Sequence, residues 1–566
     1  MKTALQFIAA SMLLSSVGLI PLSAAADPDE KKPMDQQVKP VVPEKSTPHP
    51  TPAEKSKSTQ SSDSTEENDT DAVDRFSKHI KGITLQHRLN AADTPQPLKQ
   101  VKADPLILLQ TFKQDVLAMM QATAKPLKIS SEIKLLLSEA FAKQQQELPS
   151  VTVQTEIDAT GKGLSKMGFP AYRHEEPAAG EVKKFSADFK GLDGQLEFTE
   201  DFANLNYQID FSGLTLEEDD NYKMVWDKTT SEGKLDADFV PLKTASNLSK
   251  MELTNSQENF KMLIENASSE TVLEKLKNAV EVHTGNFKLG KFELHQGDTQ
   301  SKFDRLEANF GGTEQADKVD FFLNTKFNGA VLPKDVLGES LTLHHSSQLA
   351  LRNLAAGAVI ELQQVAREVE SQRVKGALSE EAMYLKLFSK FMEVLPKITA
   401  KSPEFALSDF NLKTNYGQLT GAATLGISGA KFKSLSDLKS LIKSLQMKSD
   451  FVISKKLLLK AGIMLFAEPP AEDKNADKKL SKEAIDKQAE QQAETNIGEL
   501  VKEKWLVEEG DNYRFAASLS DNKFVVNGSP KPSPLNVFME TTPSQGAAKM
   551  PASPKHAAPP ASNEKH

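Results

Sequence analysis

Apolar and polar residues alternate with a period of two along much of this chain of 566 residues, and with a helical period in a few stretches between. The clearest alternation is "FALSDFNLKTNYGQLTGAATLGIS", which predicts a long β-hairpin. The turn is expected at Tyr416-Gly417, where glycine supplies the positive φ of a tight turn. That register sets Leu412 opposite Gly421 and Phe410 opposite Ala423, with Leu419, Leu425 and Ile427 on the same face. Asn411, Lys413, Thr420 and Thr424 take the other face, so the sheet should be apolar on one side and wet on the other.

The same period recurs upstream at Val151–Ile157, Phe185–Phe189, Leu205–Phe211, Tyr222–Trp226 and Val319–Phe327. Several strands open on a glycine followed by polar–apolar alternation, as in Gly194-Gln-Leu196-Glu-Phe198 and Gly233-Lys-Leu235-Asp-Ala237. One turn signal per strand predicts an antiparallel meander.

Helical spacing appears after Asp104-Pro105, an N-cap followed by proline at the first helical position, with Leu106, Leu109, Phe112, Val116 and Met119 on one stripe. A second helix is predicted after Ser130-Ser131, with Ile133, Leu136, Leu137, Ala140 and Phe141 as its stripe, and a short one near Ser269–Val280. Ala355, Val359, Leu362, Ala366 and Val369 form another stripe. Ser379 caps the next helix, whose face is Tyr384, Leu387, Phe388, Phe391 and Leu395, ending before Pro396. A helix at Leu435–Met447, a strand at Asp450–Ile453, an exposed charged helix reaching about Glu503 and two closing strands (Tyr513–Leu519 and Phe524–Asn527) complete the pattern.

The fold class is therefore α+β: a long, curved antiparallel sheet with helices packed on its apolar face. Residues 75–345 form the helical opening and antiparallel sheet. Residues 346–528 add helices, hairpin and closing strands to the same body. Lys2, the apolar run Ala4–Ile20, Pro21 and the small residues Ala24-Ala25-Ala26 read as a signal peptide over residues 1–26, with an uncleaved anchor as the alternative. Residues 27–74 form a Pro/Lys/Ser/Thr-rich linker too polar to fold, and residues 529–566 a similar tail.

Composition narrows the function. A net charge of −9 argues against a nucleic-acid partner, and the absence of cysteine removes disulfides, thiolate metal sites and a catalytic thiol. Phenylalanine dominates the aromatics, 29 against 6 Tyr and 2 Trp, which suits a sheet interior or a lipid-type groove. The candidate groove joins Phe388 and Phe391 to Phe410, Leu412, Leu419, Leu425 and Ile427; helix covering hairpin is the expectation that competes with an open groove.

Catalytic signatures are missing. No HExxH, Gly-x-Ser-x-Gly, P-loop or dinucleotide fingerprint occurs. His344-His345 sit in a strand pattern and face opposite ways, which does not make a metal site. Ser131-x-x-Lys134 and Ser436-x-x-Lys439 have a nucleophile–base spacing, but the companion motifs are absent. The acidic run Glu217–Asp220 lacks the spaced ligands and glycine of a calcium loop and reads as a hairpin turn. No catalytic, cofactor or metal residue is assigned, and no cofactor is implied.

Several segments resemble the YdgA-like family of bacterial envelope proteins, a domain of unknown function. They are "ISSEIKLLLSEAFAKQQQELPSVTVQTEI", "LALRNLAAGAVIELQQV" with "SPEFALSDFNLKTNYGQLTGAATLGI", and "NIGELVKEKWLVEEGDNYRFAASLSDNKFVVNGSP". The resemblance implies export to the periplasm, usually with an N-terminal membrane segment, and no known activity. This chain differs in its long linker, its cleavable-looking signal and Lys504-Trp505-Leu506 in place of a glycine before the aromatic. The leading expectation is a non-catalytic scaffold or carrier for a lipid, an acyl chain or an envelope protein, with membrane proximity through the N-terminal segment. The alternatives are a periplasmic hydrolase with dispersed active-site residues and a purely structural assembly partner.

Overall fold

The computed structural model describes residues 80–90, 94–102, 104–137, 149–176, 184–219, 221–297, 299–332, 341–374, 379–429, 438–466 and 482–535. The segments expected to be signal and linker, and most of the expected C-terminal tail, lie outside them. The fold is α+β and mostly antiparallel strand. Among the described residues there are six helices: α1 (Pro105–Ala122), α2 (Ala356–Val374), α3 (Glu380–Thr399), α4 (Leu438–Ser444), α5 (Lys455–Phe466) and α6 (Lys482–Lys502). None is long and apolar enough to cross a membrane. The chain divides into two compact units, one within residues 1–273 and 285–298, the other within 274–284 and 299–566.

In the first unit, strand Leu127–Leu137 pairs with Ile80–Leu89 on one side and Val151–Ile157 on the other. The meander continues through Gly163–Phe169, Leu192–Phe198, Leu205–Phe211, Thr229–Leu235 and Pro241–Asn255. It is not strictly sequential: the far half of Pro241–Asn255 pairs instead with Tyr222–Trp226, which leads to Leu214–Glu218 and Phe185–Phe189. Helix α1 begins as its sequence dictates. The Asp104 carboxylate accepts from Leu106 N at 2.9 Å and Ile107 N at 3.1 Å, and Pro105 takes the first position. Its apolar face (Phe112, Val116, Met119, Met120) packs on Leu127, Ile129, Val153, Ile157 and Phe198. Each such side chain contributes about 1.5–3 kcal/mol, so the stripe fixes the helix to the sheet.

In the second unit the strand order is sequential. Arg305–Gln315, Lys318–Leu332, Leu341–Ala355, Glu404–Thr414, Gly417–Ile427, Leu445–Ser454 and Asn512–Ser520 pair each with the next. Lys523–Val526 and Ser529–Lys531 close it. The Asp521-Asn522 turn has φ of 53° and 58°, the conformation of a two-residue hairpin loop.

Five sequence expectations change. The helix after Ser130-Ser131 is strand Leu127–Leu137 as far as it is described: Leu127, Ile129 and Ser131 are buried in alternation, and ladders on both edges outweigh a helical stripe that the same apolar residues also satisfy. The helix near Ser269–Val280 is the end of strand Phe260–Lys275, held by pairing to Pro241–Asn255. Helix α3 runs through Pro396 to Thr399, and the helix expected over Leu435–Met447 is the short α4 followed by a longer strand. Ser529–Lys531, expected in the tail, pairs with Lys523–Val526. The acidic run forms the expected turn, with Glu218 opposite Tyr222 and Asp219 at φ 51°.

Candidate functional site

The hairpin turns one residue earlier than its sequence predicts. Thr414 lies opposite Gly417, so Asn415-Tyr416 is the loop, Leu412 faces Leu419 and Phe410 faces Gly421. Thr414 Oγ1 fixes this turn by donating to Gly417 O at 3.1 Å and accepting from Tyr416 N at 3.0 Å. The correction moves the pairing by two residues, so every side chain keeps its face. Phe410, Leu412, Leu419, Leu425 and Ile427 do share the apolar side. A β-bulge between Leu407 and Phe410, with Asp409 at φ 51°, switches the phase of the strand and adds Phe405 and Leu407 to that side.

Across neighbouring strands this face is continuous. One row runs Leu351, Phe405, Leu425, Met447, Leu519. Another is aromatic: ring centroids are 5.0 Å apart for Phe327–His345, 5.3 Å for His345–Phe410 and 6.2 Å for Phe410–Phe451. His345 Nε2 lies 2.9 Å from Ser347 Oγ, and burial holds its imidazole pKa below the ordinary value. It serves the row as a neutral ring. Its neighbour His344 is exposed, so the pair does face opposite ways.

Two structures cover the ends of this face. At one end α2 and α3 pack Ala358, Val359, Val394 and Ile398 on Val280, Val282, Val319 and Leu354. At the other, Trp505, Phe524 and Val526 pack with Met447, Ala517 and Leu519. Between them Leu351, Phe405 and Leu425 remain 41%, 49% and 50% exposed.

Helix α3 has three flanks. Lys386, Lys390 and Lys397 reach Glu368 and Glu361 of α2. Val394 and Ile398 are buried in the core. The third flank carries Tyr384, Leu385, Phe388, Phe391 and Met392, all exposed, Phe388 at 63% and Phe391 at 42%. The expectation that Phe388 and Phe391 cover the hairpin is thus overturned; the buried stripe of α3 is the one through Val394 and Ile398. Contacts also order the elements laterally. Gln363 and Arg367 of α2 bond Glu281, α3 lies beside α2, and the segment after α3 meets the hairpin's end, where Ser402 Oγ accepts from Gly429 N at 3.1 Å. The free flank of α3 therefore lies on the side away from α2, toward the hairpin strands.

The opposite face is polar. Asp450 and Arg514 pair at 2.6 Å, and the guanidinium holds the Asp450 carboxyl below its usual range. A depression of about 310 Å³ there is lined by Glu307, Asn309, Asn324, Lys326, Gln348 and Asp409 among others.

The profile described as "Bacterial protein of unknown function (DUF945)" matches residues 105–534. The chain belongs to this family. No curated protein and no solved structure matches it. The DUF945 match includes α1, strands of both units, the hairpin and the closing strands.

This DUF945 protein also holds a Ser–His–Asp cluster that the sequence did not reveal. His87 Nδ1 is 2.8 Å from Ser131 Oγ, and Nε2 is 3.1 Å from Asp115 Oδ2, while Lys99 Nζ donates to Asp115 Oδ1. A carboxylate only accepts, so Nε2 carries the proton and Ser131 donates to Nδ1. In a hydrolase the acid orients Nδ1 and the nucleophile meets Nε2; here the nitrogens are exchanged. Ser131 is 1% and His87 2% exposed, and Ser131 sits mid-strand, paired on both edges. Among the described residues, Ser131 is enclosed within the sheet and its strand is laddered on both edges, an arrangement unlike an open nucleophile beside free oxyanion donors. The Ser131-x-x-Lys134 spacing dissolves too, because on a strand the two side chains fall on opposite faces; Ser436 lies outside the described residues. Among the described residues, no three His, Asp or Glu side chains are grouped to hold a metal.

Proposed function

We propose that this DUF945 protein is a non-catalytic binding protein of the bacterial envelope, a scaffold or carrier that takes a hydrophobic partner on the apolar sheet face of its second unit. The observation that carries this reading is the row Leu351, Phe405, Leu425: three large apolar side chains in direct register, each about half exposed, between two covered ends. Soluble monomers rarely leave contiguous apolar surface of this kind unless something binds it. The apolar lining fits a lipid, an acyl chain or the greasy surface of an envelope protein, and the export-like N-terminus puts those partners within reach. The buried, inverted Ser131–His87–Asp115 cluster supports binding over hydrolysis.

The test is titration of the purified chain with N-phenyl-1-naphthylamine, whose fluorescence rises in apolar surroundings. Saturable binding is expected. Phe405→Thr combined with Leu425→Thr should weaken it about tenfold or more, since each lost apolar contact is worth about 1.5–3 kcal/mol, with the unfolding midpoint falling only modestly because each side chain is about half exposed and threonine suits a strand. Absence of saturable binding, or equal binding by the double variant, would overturn the reading.

A further inference from the structure

We infer that the partner covering this surface is a second copy of the same chain, docked through the free flank of α3. The inference rests on the reading that the apolar surface of the second unit is a binding surface. Three observations point to a copy rather than to a small apolar ligand.

The first is area. Tyr384, Leu385, Phe388, Phe391 and Met392 are 39–64% exposed. On large side chains of roughly 150–250 Å² each, this is on the order of 500 Å² per copy and 1,000 Å² per pair, the lower limit for a specific interface. The Leu351, Phe405, Leu425 row on the hairpin side of α3 raises it toward the standard size of about 800 Å² per partner. A single acyl chain in the corner beside α3 would leave Leu385 and Met392 in water, because they stand on the outermost part of the helix.

The second is spacing. Tyr384, Phe388 and Phe391 recur at four and three residues, and Leu385, Phe388 and Met392 at three and four, so two seams share Phe388. This is the knobs-into-holes spacing by which one helix packs on another. A two-fold axis needs a self-complementary patch, and a seam centred on one phenylalanine provides it.

The third is charge. No charged side chain interrupts the flank. Glu381 lies exposed at the N-terminal end of α3, while at the other end Lys397 is turned to Glu361 of α2 and Lys401 to Asp317. An antiparallel pair centred on Phe388 keeps the two Glu381 carboxylates at opposite ends of the seam and opposes the helix dipoles favourably. The parallel arrangement would stack like charges.

Sedimentation velocity on the full chain, from low to high micromolar concentration, should show a reversible dimer. Phe388→Glu should raise the dimer dissociation constant roughly 30-fold or more, the loss expected of an interface centre, and leave the circular dichroism spectrum unchanged. Because the chain contains no cysteine, Phe388→Cys gives an independent check: oxidation should yield a covalent dimer, whereas a cysteine at the exposed Ser389, turned off the seam, should cross-link far less. A chain that stays monomeric throughout, or a dimer unaffected by Phe388→Glu, overturns the inference. Naphthylamine binding separates the outcomes. Monomer with saturable probe binding retains the binding surface and rejects the second copy; monomer without it rejects both.

Discussion

Asp115→Ala should lower the stability of the first unit by about 2–3 kcal/mol, the cost of removing a charged acceptor and stranding a buried donor. Asp115 accepts from His87 Nε2 and from Lys99, and only Lys99 can turn to water when the carboxylate is gone. The loss should be read from tryptophan fluorescence during urea unfolding, because Trp226 belongs to the first unit and Trp505 to the second; Trp505→Phe isolates the relevant signal. Burial keeps the folded pKa of His87 below its ordinary value of about 6.5, with Asp115 pulling the other way. Between the two pKa values the unfolded chain binds the extra proton. The contribution is therefore intact above about pH 6.5 and is lost as pH falls through the folded pKa. His87→Asn should flatten that part of the pH–stability curve. If Asp115→Ala unfolds with the wild-type midpoint, the cluster is not a structural clamp. If instead it removed an ester-hydrolysing activity that Ser131→Ala also removed, the non-catalytic reading would fail.

This cluster shows what the sequence made legible and what it hid. Ile83, Leu85, His87 and Leu89 alternate inward, so His87 occupied an apolar phase, and Asp115 stood in the stripe between Phe112 and Val116. A polar residue at a core phase announces a buried partner. Which partner it meets depends on how α1 crosses the sheet, a tertiary fact with no periodic trace. Helix α1 itself was readable because Asp104, Pro105 and the stripe all agreed. Strand Leu127–Leu137 was misread because Ile133, Leu136 and Leu137 fit a helix as well as a strand, and the deciding ladders come from residues far along the chain. The same limit applies at the candidate surface. The shared face of Phe410, Leu412, Leu419, Leu425 and Ile427 followed from period two. The phase switch at Asp409, which adds Phe405, did not. Nor could spacing distinguish the buried from the free flank of α3, since both are apolar; the lysines tied to Glu361 and Glu368 decide it.

Gly421→Val is expected to destabilise the second unit by about 3 kcal/mol, at the upper end for overpacking. Gly421 lies opposite Phe410 on one side and Phe451 on the other, and those rings meet 6.2 Å apart because no side chain stands between them. A Cβ at this position would approach both Asp450 O and the Phe451 ring to 2.4 Å. The backbone carbonyl belongs to the ladder and cannot give without opening the pairing, so the cost is steric rather than conformational; Gly421 does not need a positive φ. Ala422→Val, one residue along, points to the exposed polar face and should change stability by no more than about 0.5 kcal/mol. Trp505 fluorescence in a Trp226→Phe background measures both. Equal midpoints for the two variants would mean that strand Gly417–Ile427 can shift to accept a side chain, and that the aromatic row is not held in register by its glycine. A loss confined to Gly421→Val ties the order of the apolar face to the hairpin. The binding surface would then depend on a small residue at the point where Phe410 and Phe451 meet.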